Sequence, residues 1–358
     1  MRTIAIINQK GGCGKTTTAI NLGACLAYLK KRVLVVDLDP QAHTTLGLGL
    51  NPGDYPRSIY DLLVEREGSP VEIDDVIIRQ NEHLSVLPSE LMLSAAEPIL
   101  LQKEYREYYL ADILNRVQDR YDFIIIDCPP NIGVLTFNAL FACTEAIIPI
   151  ESGLFALHGL AKLMETIHIV NLKRSDRITV NALATMFDRR TRIAHESLEE
   201  LNSHMEGHVF KTLINFNVKL KEASSHGKPI SAFARHSSGF QDYLGLAREV
   251  LALRKLLKAR KEVEEKFIRP VITKDGVLFT YYSPRANKVY VVADFNNWKT
   301  HENPMQNLEG TGVWQALVPL GKGRYEYKFF VDGQWVNDPD NPNTIKNEFG
   351  ENSYIEIT

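Results

Sequence analysis

Six runs in the first 190 residues are almost continuously apolar and rich in β-branched side chains. They are TIAIINQ (3–9), RVLVVDLD (32–39), LSVLPSE (84–90), YDFIIIDCPP (121–130), EAIIPIES (145–152) and ITVNALATMFD (178–188). A strand that is apolar on successive residues has to be covered on both faces, which excludes a sheet open to water on one side. Helical stretches separate these runs, the first being KTTTAINLGACLAYLKK (15–31). Buried strands joined through helices predict a parallel sheet, and right-handed crossovers make it a doubly wound α/β domain. Ligands of such sheets sit at the carboxyl ends of the strands.

The texture changes near Pro270. FQDYLGLAREVLALRKLLKARKEVEEKFIRP (240–270) has helical spacing and reads as the last helix of the first domain running into a charged connector. Beyond it, GVLFTYYSP, KVYVVADFN, GVWQALVPL, GRYEYKFFVDGQWV and NSYIEIT are short alternating strands broken by Gly, Pro, Asn and Asp. They predict an all-β sandwich of immunoglobulin-like type. The expected division is an α/β domain over 1–255, a helical connector over 256–269 and the sandwich over 270–358. A length of 358 residues agrees with two domains. With 44% hydrophobic and 24% charged residues the composition is that of an ordinary globular chain. No apolar run reaches the roughly 18 residues that span a bilayer. Cys13, Cys25, Cys128 and Cys143 have no paired spacing, so neither a disulfide framework nor a zinc site is expected, and a reducing cytoplasm suits them.

The first strand runs into NQKGGCGKTTTAINL (8–22). Strand, glycine-rich loop, Lys-Thr and helix is the layout of a phosphate-binding loop. Backbone N–H groups across Gly11, Gly12, Cys13, Gly14, Lys15, Thr16 and Thr17 can cradle phosphate oxygens at a helix N-terminus. Lys15 would bridge the terminal phosphates of ATP, and the Thr16 hydroxyl would ligate Mg²⁺. The plain motif has glycine at position 9. This chain has Gln9 and then a second lysine, Lys10.

That arrangement, KGGCGKTT, resembles the deviant phosphate loop of the ParA/MinD ATPases. The resemblance implies that Lys10 reaches the nucleotide of a partner subunit, so that ATP joins a homodimer. It also implies an ATPase in which Asp39, within VVDLDPQAHTTLGLG (35–49), orients the attacking water. Asp37 would lie near the Mg²⁺, and Asp127 in FIIIDCPP would hold the metal through water. TMFDRRT (185–191) and NVKLKEASSHGKPI (217–230) resemble the chromosome- and plasmid-partition branch, so the likeness covers roughly 1–255. This branch binds double-stranded DNA without sequence preference in the ATP state, which implies a nucleoid-associated cytoplasmic protein with an activating partner protein. Its DNA-contacting positions match Arg190 and Lys219, with Arg189, Arg192, Lys211, Lys221, Lys228 and Arg235 nearby. Where relatives have Pro-Arg-Asn, this chain has Asn-Phe-Asn (215–217), and Phe216 replaces a positive charge. The membrane branch ends in a basic helix, whereas Glu262, Glu264 and Glu265 make the corresponding segment mixed in charge. The cysteines of the nitrogenase iron-protein branch are not suggested either: Cys128 and Cys143 read as packed small residues.

KVYVVADFNNWK (288–299), GVWQALVPLGKGRYEYKFFVDGQWVNDPDNPN (312–343) and NEFGENSYIEI (347–357) resemble the family 48 carbohydrate-binding module, nearest to the glycogen-binding domain of AMP-activated kinase β subunits. The likeness implies that Trp298, Lys328, Trp335 and Asn352 engage an α-glucan, with Phe349 at an apolar position that threads against it. Trp314 reads as core, and Asp332, Asp338 and Asp340 as turn formers. Three functions stay open at this point. One is a partition ATPase carrying a glucan or other cargo on its sandwich. Another is a carbohydrate-binding adaptor gated by an ATPase with no DNA role. The last is a segregation ATPase whose sandwich docks a protein.

Overall fold

The computed structural model describes residues 1–64, 71–151, 156–174, 176–205, 207–267, 270–273, 275–283, 286–307, 313–339, 341, 343–347 and 350–357. The side chains of 156–158, 254–267, 282 and 347 lie outside that description, as do Asp340 and Phe349 and the charged face expected of the connector. The chain forms two compact units, Met1–Ala252 and Leu253–Thr358.

The first unit is built on a seven-stranded sheet of β1 (Arg2–Ile6), β2 (Val33–Asp37), β3 (Ile78–Arg79), β4 (Leu84–Leu87), β5 (Phe123–Asp127), β6 (Glu145–Glu151) and β7 (Thr179–Thr185). The spatial order is β3-β4-β2-β5-β1-β6-β7, and every pairing is parallel except the short β3 edge. β1, β2 and β5 are buried along their whole length, which is why their sequences carry no polar alternation. The register sets Ile6 beside Asp127 and Asp127 beside Asp37, so three strands end at one level. At the opposite end of β1, Arg2 donates to both oxygens of Glu145 at 2.5 Å and to the Val250 carbonyl at 2.6 Å. A buried charge paired in this way, with all three guanidinium nitrogens donating, ties β1, β6 and the helix Ser238–Phe267 together.

The second unit is a pair of antiparallel sheets. One contains β8 (Val271–Thr273), β9 (Gly276–Tyr282), β11 (Gln306–Asn307) and β12 (Val313–Val318), in the order β11-β12-β9-β8. The other runs β10-β13-β16-β15, from β10 (Val289–Ala293), β13 (Gly323–Val331), β15 (Thr344–Asn347) and β16 (Gly350–Ile357), with β14 (Gln334–Val336) paired to β13. Phe279, Val291, Trp314, Tyr327 and Phe329 fill the space between the sheets. Trp314 is a core residue whose indole N–H donates to the Ser283 carbonyl. Asp338 differs from the sequence expectation. It is not a turn former but a buried acceptor: the Tyr327 hydroxyl donates to it at 2.5 Å, and Asn341 donates to the same hydroxyl. Asp332 does form a turn, with positive φ next to Gly333 at the β13–β14 hairpin.

Helix α1 (Lys15–Tyr28) packs on β2 at Gly23, where an added Cβ would stand 2.6 Å from Val35 Cγ2. Val35 is fully buried and has nowhere to move. Gly23→Ala gains about 1 kcal/mol of helix propensity against an overpacking cost of about 1–3 kcal/mol. The expected result is net destabilisation, read as a lower urea midpoint for the first unit with an unchanged slope.

Candidate functional site

The loop between β1 and α1 has the shape its glycines require. Gly12 and Gly14 adopt φ of +76° and +89°, a region closed to most side chains. A Cβ on Gly11 or Gly12 would meet nothing within 4 Å, so the loop lines open space. No side chain caps α1 and no acidic residue lies in its first turn. Its leading N–H groups therefore face the cleft as donors for an anion. The cleft, about 360 Å³, is lined by Gly11, Gly12, Gly14, Lys15, Thr16, Thr17, Asp39, Gln41, His43, Pro130 and Met186. Cys13 is buried behind it. Its carbonyl accepts from Thr185 Oγ1 at 2.8 Å, and burial pushes its thiol pKa up against the pull of Lys15.

The two lysines differ in setting. Lys15 is 8% exposed, and its ammonium donates to the Lys10 carbonyl at 3.1 Å. The Lys10 side chain is 45% exposed, and its ammonium meets Glu151 Oε2 at 2.8 Å. Behind them stand two fully buried carboxylates on neighbouring strands. Asp127 Oδ2 accepts from Thr16 Oγ1 at 2.8 Å and from Thr44 Oγ1 at 2.7 Å. Its Oδ1 is buried with no partner, which an ion or ordered water would satisfy. Asp37, level with Asp127, has its carboxylate engaged by the backbone and side chain of the following turn. One of its oxygens accepts from the N–H and hydroxyl of Thr45 and the other from the Asp39 N–H, so it serves the 39–45 turn. Burial raises the pKa of both carboxyls; the charge of Asp127 adds to the rise at Asp37, and that of Asp39 to the rise at Asp127.

The residues fit Mg²⁺ with a nucleotide. A hydroxyl and a carboxylate with an open oxygen converge at the mouth of an anion cradle. Mg²⁺ keeps waters and phosphate oxygens as ligands and does not need an all-protein cage. Asp39 lines the cleft, with Oδ1 accepting from the Gln41 N–H and its carbonyl accepting from Ser89 Oγ. Gln41, His43, Pro130 and Met186 were not singled out from the sequence. Gln41 and His43 lie inside a segment already marked by Asp37 and Asp39, whereas only the fold brings up Pro130 and Met186. A second cavity of about 400 Å³ shares Gly14, Thr17 and Met186 with the cleft and continues to Asn215, Phe216 and Asn217. Cys128 and Cys143 are buried, and burial pushes the Cys143 thiol up to about 12, as packed residues require.

Arg190 and Lys219 lie on neighbouring segments. Phe187 N–H donates to the Ile214 carbonyl, Phe216 N–H to the Phe187 carbonyl, and Arg189 Nε to Asn215 Oδ1. Each basic candidate also has a local acid. The Arg190 guanidinium forks onto Asp188 at 2.8 and 2.9 Å and lowers the Asp188 carboxyl to about 2. Lys219 meets Glu222 at 2.7 Å. Phe216 is exposed, with the Lys221 ammonium 5.9 Å above its ring.

On the sandwich, Trp298 and Trp335 come together with centroids 6.3 Å apart, and Phe330 meets Trp335 edge-on at 5.3 Å. Trp298 sits in a left-handed turn (φ +58°), its N–H bonded to the Ala293 carbonyl. Buried Asn296 braces that turn, accepting from Ala293 N–H and donating to the Val291 carbonyl and Asn303. Lys328 and Phe330 alternate along β13 with the inward Tyr327 and Phe329, so they share the outer face. Asn352 is buried and its amide donates to Glu326 Oε2 at 2.9 Å. It is not among the exposed side chains of this unit, whereas the resemblance implies a sugar contact for it. Phe330 and Asn296 were missed; strand alternation could have found the first, and nothing local marks the second.

Known proteins place both units. Residues 1–180 match the AAA domain family, and residues 268–347 match carbohydrate-binding module 48 (isoamylase N-terminal domain). The sporulation initiation inhibitor protein Soj of Bacillus subtilis is 44% identical over 253 residues, which is 70% of this chain and 98% of that protein. The chromosome-partitioning ATPase Soj of Treponema pallidum is 42% identical, covering 70% and 97%. Among solved structures, cobyrinic acid a,c-diamide synthase from Mycobacterium smegmatis with bound ATP analogue and magnesium superposes with TM-score 0.62 at 32% identity, over 71% of this chain and 96% of that one. A putative plasmid partition protein from Borrelia burgdorferi bound to AMPPNP gives 0.59 at 26%, over 70% and 98%. Across the 253 matched residues the chain belongs to the Soj/ParA family of partition ATPases, and behind them it carries a module 48 domain.

Proposed function

We propose that the first unit binds Mg²⁺-ATP, pairs with a second copy of itself, holds duplex DNA without sequence preference in that state and resets by slow hydrolysis, while the second unit binds an α-glucan. The observation that carries this reading is the unequal setting of two lysines in one loop. Lys15 is buried at the cradle and serves the subunit's own phosphates. Lys10 is half exposed and directed away from that cradle, which suits a cation donated to a neighbour. Phosphoryl transfer needs mainly positioning and charge neutralisation, so a cation supplied in trans makes turnover conditional on pairing.

Thr16 and the open oxygen of Asp127 would hold Mg²⁺, whose charge when bound would offset that of the terminal phosphates. The loop N–H groups orient the phosphates, Asp39 accepts a hydrogen bond from the attacking water, and the base enters the cavity between Met186 and Asn215. The working place is then the cytoplasm, on the nucleoid while ATP is bound, and an activating partner protein sets the pace of release.

The aromatic pair on the sandwich offers flat apolar surface to sugar rings, with Lys328 beside it as a donor. Two modules per dimer raise avidity on one polymer. A second reading, an adaptor with no DNA role, is favoured by one observation: Arg190 and Lys219 are both paired with acids of their own surface.

Light scattering with a non-hydrolysable ATP analogue is expected to show a dimer for the parent chain and none for Lys10→Ala, with turnover down by roughly two to three orders of magnitude. Asp39→Ala keeps the dimer and loses turnover. Filter binding of duplex DNA with ATP across a salt series should give a steep negative slope, lowered by about 1 in Arg190→Glu; a flat, negligible signal favours the adaptor. Trp335→Ala, at an exposed position, is expected to weaken co-sedimentation with glycogen by about tenfold, and a parent chain that stays in the supernatant removes the glucan reading.

A further inference from the structure

Outside a dimer, this chain keeps both loop lysines occupied by its own atoms. Lys15 Nζ rests on the Lys10 carbonyl at 3.1 Å, and Lys10 Nζ rests on Glu151 Oε2 at 2.8 Å. The Lys10 backbone is fixed as well: its N–H donates to Asn8 Oδ1 at 3.0 Å, and buried Asn8 donates from Nδ2 to the Pro149 carbonyl at 2.7 Å. Pro149 and Glu151 are both on β6, with Glu151 its last residue. Lys10 is therefore fastened at its backbone and at its tip to one strand end.

We infer that Glu151 is a positioning residue that holds Lys10 within its own subunit and has to release it before the dimer closes. This rests on the reading of Lys10 as a lysine that acts on the partner's nucleotide. An ammonium shared between this carboxylate and a partner's phosphate binds the phosphate less tightly than an undivided one, because the two anions, about 6 Å apart, repel. Exchange of one anion for the other is the arrangement that avoids it. Without a triphosphate opposite, Glu151 is the better partner and the subunits stay apart. With one, the denser phosphate charge wins. Glu151 thereby sharpens the dependence of pairing on the nucleotide.

The pair is solvent-exposed on both sides, 45% and 37%, so its hold is modest, about two- to fivefold in population. A symmetric dimer opens two such contacts. Its apparent dissociation constant moves by the square, about four- to twenty-fivefold.

The test is sedimentation velocity of the full chain with Mg²⁺ and a non-hydrolysable ATP analogue over a protein dilution series. Glu151→Gln, which keeps size and loses charge, is expected to dimerise about four- to twenty-fivefold more tightly than the parent at low salt. The advantage should shrink toward roughly 0.3 M salt, where exposed pairs are screened. Glu151→Asp, with the charge on a shorter arm, falls between the two and supplies the comparison if the Gln variant does not fold. A Gln variant no tighter than the parent, or tighter by a factor indifferent to salt, overturns the proposal. Lys10→Ala separates it from the reading beneath it. If that variant dimerises like the parent, the trans role of Lys10 falls. If it stays single while Glu151→Gln changes nothing, only the role of Glu151 falls.

Discussion

The register of three parallel strands sets the rest of the first unit. Ile6, Asp127 and Asp37 end β1, β5 and β2 at one level. A slip of one residue in a parallel pair would turn each of these side chains to the other face, and the phosphate loop would no longer open above Asp127. Full burial of all three strands makes the slip costly, because each position is matched to apolar neighbours above and below the sheet. The chemistry is thus located by packing: the cradle, the Thr16–Asp127 contact and the Asp39 turn follow from where the strands stop.

On the sandwich the equivalent constraint is turn geometry. Asp332 and Gly333 take positive φ and turn β13 into β14, which sets Trp335 opposite Phe330. Asn297 and Trp298 also take positive φ, an unfavourable state for an indole-bearing residue. Asn296 compensates with three hydrogen bonds from a buried position. Local strain held by a buried amide delivers an aromatic side chain to the surface next to its pair. A position of that kind is where sequence propensity and structure disagree for the sake of a binding face.

Much of this was legible in the chain because it is local. Strand type follows from continuous apolar runs, and the anion cradle follows from glycines at positions 11, 12 and 14 ahead of Lys-Thr. What was not legible is contact between residues far apart in sequence. Nothing near Lys10 announces Glu151, and nothing near Asn8 announces Pro149, since each pair is 141 residues apart and meets only because β1 and β6 are neighbours. Asp338 misled for a related reason. An aspartate among Asn, Pro and Gly has the composition of a turn, but its partner is a tyrosine on a strand eleven residues earlier. Asn352 illustrates the limit for site residues. The family resemblance implied a sugar contact, whereas beside the pairing of β13 with β16 its amide donates to Glu326.

The paired carboxylates give such a site a physical route by which to couple to a cation. Asp37 and Asp127 are both fully buried, and desolvation raises the pKa of each, with further rises from neighbouring acids. The folded chain therefore holds protons at pH values where the unfolded chain has released them. The cost of the pair is absent below the ordinary carboxylate range and grows as pH rises through the raised values. Thr16, Thr44 and Thr45 offset part of it by donating to the charged forms. Asp127 Oδ1 is left without any donor. A divalent cation at that oxygen would remove the remaining cost in the bound state alone. Folding energy withheld at Asp127 would in this way be returned on binding, one strand away from the Asp37 carboxylate that holds the 39–45 turn.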